Sequence, residues 1–287
     1  LVELLLREVD DIQLRLLIRP SGKRSASKRL ERDILRNDAF DQLREALGTE
    51  GFDNLTVKAV EALSADISLD NLGLDDAGLQ ELSECDIVIH SAAAVSFDEP
   101  LDRAAEVNLM GPVRLVETLQ SLDVEPHLVM VSTCYVAGNR KGTAHEKPLS
   151  QSPFYVPLNW REETEAARRT RSYTEDDSRR SENLEKFRAE AKSELGAPGI
   201  SLIATKTEQI RERWVKEKMV EAGRERATSL GFPDAYAFTK AMAEQAVQEI
   251  RGNIPLSIVR PSIIESSWGN PKSGWIRGFR MAEPIIL

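Results

Sequence analysis

Asp86-Ile-Val-Ile-His90-Ser-Ala-Ala-Ala-Val95 decides the fold. A short apolar run rich in β-branched residues predicts a buried strand, which here runs into the small residues after His90. Upstream, Leu74 to Leu82 predicts a helix. Before it, Val57-Lys-Ala-Val-Glu-Ala-Leu63 forms an element leading to Ala65-Asp66-Ile67. A helix through about Ala46 follows the basic turn Ser21 to Arg29. Gln13-Leu-Arg-Leu-Leu-Ile-Arg19 predicts a strand ended by Pro20, and Leu1 to Val9 an amphipathic helix. Downstream, Glu99 to Leu122 predicts a long helix, His127-Leu-Val-Met-Val-Ser-Thr133 a strand, and Pro255-Leu-Ser-Ile-Val-Arg-Pro261 another.

Strands alternating with helices at this rhythm predict an α/β fold, a doubly wound parallel sheet of Rossmann type with a charged helical insertion. Ligands of such sheets bind at the carboxyl ends of the strands. Arg19, Asp66, Ala92 to Ala94, Ser132 and Thr133 all fall at those ends, which predicts a nucleotide-sized site.

The insertion is the stretch from Trp160 to Arg226. Charges of both signs crowd it, and apolar residues recur at helical spacing: Leu184, Phe187, Ala191, Leu195, then Ile210, Trp214, Val215, Met219. It predicts two or more solvated helices joined by a Gly196-Ala-Pro-Gly199 turn. The expected organisation is a dinucleotide-binding domain over 1–157, the insertion over 158–230, a returning helix and strand over 231–262, and the start of a substrate-binding region over 263–287.

Gly231-Phe-Pro-Asp-Ala-Tyr236-Ala-Phe-Thr-Lys240 opens the returning helix, with Pro233 in its first turn and Arg251-Gly252-Asn253 as its stop. Tyr236 and Lys240 lie four apart, on one face of that helix. An ammonium beside a phenol lowers the phenol's pKa from its usual ~10 toward the range of a working acid or base.

The 287 residues are 41% hydrophobic and 30% charged, ordinary for a globular protein. A net charge of −9 argues against nucleic acid as a partner. No apolar run is long enough to span a membrane. Cys85 and Cys134 stand far apart with no metal-ligand spacing, which fits reduced thiols and a cytoplasmic setting. Trp275-Ile-Arg-Gly-Phe279-Arg allows either core packing or peripheral contact with a lipid surface, and a homo-oligomer is left open.

Several landmarks occur in register. They are Arg19 after the second strand, Asp66-Ile67 after the third, His90-Ser-Ala-Ala after the fourth, and Asn108-Leu-Met-Gly111. Then come Val131-Ser-Thr-Cys-Tyr-Val-Ala-Gly138, Tyr236-x-x-x-Lys240 and Val259-Arg-Pro261. Together they resemble the extended short-chain dehydrogenase/reductase superfamily. Within it, His-Ser-Ala-Ala-Ala-Val-Ser-Phe97, the charged insertion, Ile258-Val-Arg-Pro-Ser-Ile-Ile-Glu-Ser266 and Gly274-Trp-Ile-Arg-Gly-Phe279 are similar to the fatty acyl-CoA reductase branch, with its male-sterility-type NAD(P)-binding domain.

The resemblance implies that Tyr236 donates a proton to a carbonyl oxygen. It implies that Lys240 holds the nicotinamide ribose and lowers the tyrosine's pKa. Thr133 hydrogen-bonds the substrate oxygen, with Ser132 as the alternative, and Asn108 supports the site, through water or directly. By the same analogy Asp66 and Ile67 border the adenine, Ala92 and Ala93 the pyrophosphate, and Pro261, Ser262 and Ile263 the nicotinamide amide. Arg19, with Lys23, Arg24 and Lys28 close behind and no acid nearby in sequence, favours NADPH over NADH, because a guanidinium accepts a 2′-phosphate. The family's first strand and glycine-rich phosphate loop are expected ahead of Leu1.

The function so implied is NADPH-dependent reduction of a fatty acyl-CoA thioester to an aldehyde and on to an alcohol. A thioester reductase for carrier-bound acyl groups and a non-catalytic NADP-binding interaction protein are the alternatives.

Overall fold

The computed structural model describes residues 1–195, 200–264 and 266–276. The turn expected at 196–199, and the part of the expected lipid-contact segment from 277 onward, lie outside the described residues. The chain forms two compact units. One comprises Leu1–Asp86, Thr118–Val124 and Pro261–Leu287; the other comprises Ile87–Glu117 and Glu125–Arg260. Among the described residues no helix is long and apolar enough to cross a membrane.

In the first unit the helix α1 (Val2–Glu8) leads to β1 (Leu14–Ile18). Helix α2 (Ala26–Arg29) continues into a π-helical turn (Leu30–Leu35), and α3 (Asp41–Ala59) leads to β2 (Val60–Ser64) and α4 (Asp76–Ser83). Strands β1 and β2 pair in parallel, from Leu14 opposite Val60 to Ile18 opposite Ser64. Leu6, Ile18, Leu30, Leu43 and Val60 close the core around Phe40 and Phe52, whose rings meet edge to face at 6.0 Å. The helix expected to stop at Ala46 instead bends at Gly48, where φ is +67°, and resumes. Val57 is therefore an exposed helical residue, 85% accessible, and the strand starts only at Val60, where Val60 and Leu63 become buried.

The second unit holds β3 (Ile87–His90), then α5 (Leu101–Ala104), which passes through a π-helical turn (Ala105–Leu109) into α6 (Met110–Ser121), whose residues from Thr118 on count with the first unit. Then come β4 (His127–Val131), α7 (Trp160–Ser178), α8 (Ser181–Leu195), α9 (Ile200–Ser229), α10 (Ala235–Ile250) and β5 (Leu256–Val259). The strand order is β3-β4-β5, all parallel. The period of two sends His90, Leu128 and Met130 to the covered face. Ile87 and Ile89 point the other way and are 59% and 39% exposed, so β3 is not the fully buried strand that its composition predicts. One face of it is covered among the described residues, not two.

The charged stretch folds as α7 to α9. Phe187 and Ala191 of α8 pack with Ile210 of α9, and Trp214 meets Phe187 at 5.7 Å. Leu184 and Leu195, at the ends of the apolar spacing, remain 37% and 39% exposed. The sequence reading passed over Arg211, which is buried between carboxylates: it donates to Glu175 at 2.6 Å, to Glu208 at 2.7 Å and to Ser178 at 2.9 Å. These acids hold its pKa above the usual arginine range despite burial.

Candidate active site

The site is built where β4 ends. Thr133 caps the 3-10 turn Cys134–Ala137, its hydroxyl accepting from the Tyr135 N–H at 3.3 Å. The chain then reaches Gly138 with φ at +70°, where a side-chain Cβ would stand 2.5 Å from the carbonyl oxygen of Gly231. Only glycine permits that approach and that backbone. The Asn139 N–H donates to the same oxygen at 2.7 Å, so the turn is pinned to the segment entering α10.

Asp234, rather than the expected Pro233, starts that helix: its carboxylate accepts from the Ala237 N–H at 2.8 Å. Pro233 therefore lies just outside the first turn. Tyr236 is half-buried in that turn, with the Thr133 hydroxyl beside its phenol. Phe97, from the loop after β3, packs edge-on to its ring at 6.2 Å. Nothing in the sequence marked Phe97 as a neighbour of Tyr236.

Burial raises the Tyr236 pKa, and the nearby Thr133 hydroxyl only partly offsets that rise. The sequence reading had Lys240 lowering it. Lys240 does lie a turn further along α10, but its ammonium is spent elsewhere. It is buried, 2% accessible, and donates to the carbonyl of Val131 at 2.5 Å. Burial lowers its own pKa to about 8, against the opposing charge of Glu244. A shared helix face brings two side chains near; where a long stem ends is set by the nearest acceptor in the fold.

Asn108 sits in the π-helical turn, 1% accessible. Its Oδ1 accepts from the Ala94 N–H at 2.7 Å, and its Nδ2 donates to Ala94 O at 3.1 Å and to Thr239 Oγ1 at 3.2 Å. All three bonds go to protein groups, so Asn108 holds the loop after β3 against α10. Behind α10, Glu244 is 2% accessible and is gripped by Arg260, whose Nη2 lies 2.6 Å from Glu244 Oε2. Arg260 also donates to Lys147 O at 3.0 Å. The proline-ended strand motif displays Arg260 in the sequence, but its buried partner was not legible there.

Thr133, Tyr236, Lys240, Asn108 and the buried Ser132 thus gather in the second unit, with Ala92 exposed and Ala93 half-buried after β3. Arg19, Lys23, Asp66 and Ile67 belong to the first unit, as do the half-buried Pro261 and the exposed Ser262 and Ile263. Arg19 is exposed, and its guanidinium stands 4.0 Å from the Asp66 carboxylate, so an acid does lie near it in space. That carboxylate accepts from the N–H and hydroxyl of Ser68 at 2.9 and 2.6 Å. Lys23 is exposed on the turn beyond.

The sequence matches the model of the male sterility protein family, an NAD-binding family, over residues 1–287. The chain belongs to that family. It is 32% identical over 289 residues to fatty acyl-CoA reductase 2, chloroplastic, of Arabidopsis thaliana, a match that takes in 100% of this chain and 43% of that protein. It is 31% identical over 290 residues to the alcohol-forming fatty acyl-CoA reductase of Simmondsia chinensis, covering 99% of this chain and 52% of that one. The chain spans about half the length of the curated relatives it matches. Among solved structures it is similar to the terminal R domain from the myxalamid PKS-NRPS biosynthetic pathway. That match has a TM-score of 0.51 and 20% identity, over 92% of this chain and 45% of that one. At that identity the likeness is one of fold, and it supports an α/β architecture of Rossmann type.

Proposed function

We propose that this chain is the catalytic domain of an NADPH-dependent reductase of long-chain fatty acyl-CoA thioesters. The observation that carries the reading is the placing of the Thr133 hydroxyl beside the Tyr236 phenol, close enough to lower its pKa, in a family member whose relatives are named fatty acyl-CoA reductases. A nicotinamide dinucleotide supplies the hydride when bound. Two buried side-chain atoms support such a ligand: His90 Nε2 and Ser132 Oγ, near the ends of β3 and β4, have no hydrogen-bond partner among the described residues. Buried polar atoms are rarely left so. The Lys240 ammonium, with one protein acceptor in Val131, keeps donors for ribose hydroxyls.

The protein's own part is acid catalysis and orientation. Thr133 and Tyr236 present two hydroxyls that hold the thioester carbonyl oxygen. As negative charge develops there, the Tyr236 O–H donates its proton. A phenol whose pKa is raised by burial is protonated at neutral pH, which suits it to be the acid. Collapse of the resulting hemithioacetal breaks the C–S bond, expels the thiol and leaves an aldehyde. A second reduced nicotinamide dinucleotide would supply another hydride, and the same proton donation to the aldehyde oxygen would then give the alcohol. Asn108 keeps the loop and helix in register, and Arg19 with Lys23 favours the 2′-phosphate of NADPH.

The test is NADPH consumption by the full-length protein with a long-chain acyl-CoA, beside Tyr236→Phe and Lys240→Ala, with products resolved by gas chromatography. Oxidation that disappears in both variants supports the reading. Cofactor binding without oxidation by the parent protein would sink it.

A further inference from the structure

The turn that carries Thr133 ends in two cations with no occupation inside the fold. Arg140 and Lys141 are exposed, and neither side chain has a hydrogen bond or ion pair among the described residues. Other arginines of the same unit are engaged by carboxylates. Arg161 is paired with Glu249, Arg224 with Asp98 and Arg260 with Glu244.

Their place is fixed by backbone rather than by chance. The Gly138–Gly231 approach and the Asn139 bond to Gly231 hold the turn onto the entrance of α10. The Arg140 guanidinium lies over Gly231, with Nε and Nη2 each 3.7 Å from where a Cβ there would be. Gly231 is five residues before Tyr236, a span of at most about 18 Å of extended chain. Arg140 is therefore tied at both ends to the reacting centre, through Thr133 on one side and Tyr236 on the other. It still stands back from the hydroxyls themselves.

A thioester substrate needs groups placed in this way. Its acyl–sulfur bond sits at one end of a long pantetheine arm, and its phosphates sit at the other. We infer that Arg140 and Lys141 bind the phosphate groups of the arm that carries the acyl chain. A guanidinium accepts phosphate oxygens in a bidentate fork, and the adjacent ammonium adds a point charge. The net charge of −9 gives the chain no general attraction for a polyanion, so local cations must provide it. The inference rests on the thioester-reductase reading above and names the part of the substrate that the reading leaves unassigned.

The test compares kcat/KM of the full-length protein for one acyl group on three carriers: CoA, 4′-phosphopantetheine and pantetheine, the last without phosphate. In Arg140→Ala the preference for acyl-CoA over S-acyl-pantetheine should fall about ten-fold, further when Lys141→Ala is added, and be partly restored in Arg140→Lys. A fall shared by the phosphopantetheine substrate assigns the contact to the pantetheine phosphate. A fall confined to acyl-CoA assigns it to the nucleotide phosphates. A ratio that stays constant, whether all three rates drop or none does, overturns the inference. If the parent protein reduces none of the three, the reductase reading fails, and this inference fails with it. That outcome is seen before any variant is made.

Discussion

The ammonium of Lys240 donates to the carbonyl of Val131 at 2.5 Å, while the phenol of Tyr236, one turn earlier on α10, stands beside the Thr133 hydroxyl. The two residues share a helix face and serve different ends of the site. Burial holds the Lys240 pKa down at about 8. If the charged form holds the cofactor's ribose, kcat/KM should fall as pH rises through about 8. Lys240→Arg keeps its charge at all such pH values, so this alkaline limb should vanish in that variant even if its rate is lower. A flat profile from pH 7 to 9 in the parent protein would count against the assignment.

His90 gives a stability prediction of its own. Its imidazole is buried, and burial, with the charge of Lys240, lowers its pKa from 6.5 to about 3. Between those values the unfolded chain binds the proton and the folded one does not. Stability is therefore lost as pH falls from 6.5 toward 3, by about 1.4 kcal/mol per pH unit at most. Urea unfolding midpoints across that range should slope less steeply in His90→Asn than in the parent.

Asn108→Ala removes three hydrogen bonds at once and strands the half-buried Ala94 backbone groups. A loss of about 2–4 kcal/mol in unfolding free energy is expected, together with reduced kcat. Asn108→Asp keeps one acceptor and should be intermediate in thermal unfolding.

Arg260→Ala leaves the Glu244 carboxylate buried and uncompensated, which should cost about 3–5 kcal/mol. Replacing both, as Glu244→Leu with Arg260→Met, should recover most of that loss in denaturant unfolding. If the double variant is as unstable as Arg260→Ala, the pair does more than neutralise itself.

Arg19→Ala should lower the NADPH-to-NADH ratio of kcat/KM about ten-fold, and Lys23→Ala less. Asp66 at 4.0 Å competes weakly for the guanidinium, so Asp66→Asn should leave the NADPH preference intact or strengthen it.

Much of this was legible in the chain because it is local. Apolar runs and periodicity located β1, β3, β4, β5 and the helices α4, α8 and α9, read α5 and α6 as one helix, and left α7 without a place of its own; start and stop signals located α10. The Tyr236–Lys240 spacing placed both side chains on one face. Ser132 and Thr133 fall at a strand end because a strand must end before its turn. Local chemistry also set the stop of α10, where Gly252 has φ of +56°. What misled was local too. Gly48 reads as a helix end and is a bend, and Pro233 reads as the first helical residue while Asp234 takes the cap.

The sequence by itself determined the α/β class and the family, and it named the hydroxyls and cations proposed to react, since each rests on residue type, order and spacing along the chain. Only the tertiary structure decided which groups those residues serve. It turned the Lys240 ammonium to Val131 rather than to the phenol, and raised the Tyr236 pKa instead of lowering it. It closed Arg260 over Glu244, clamped Asn108 between Ala94 and Thr239, and left Arg140 without a partner among the described residues. Burial and hydrogen-bond partners depend on atoms brought near from distant parts of the chain, and neither spacing nor composition encodes that nearness.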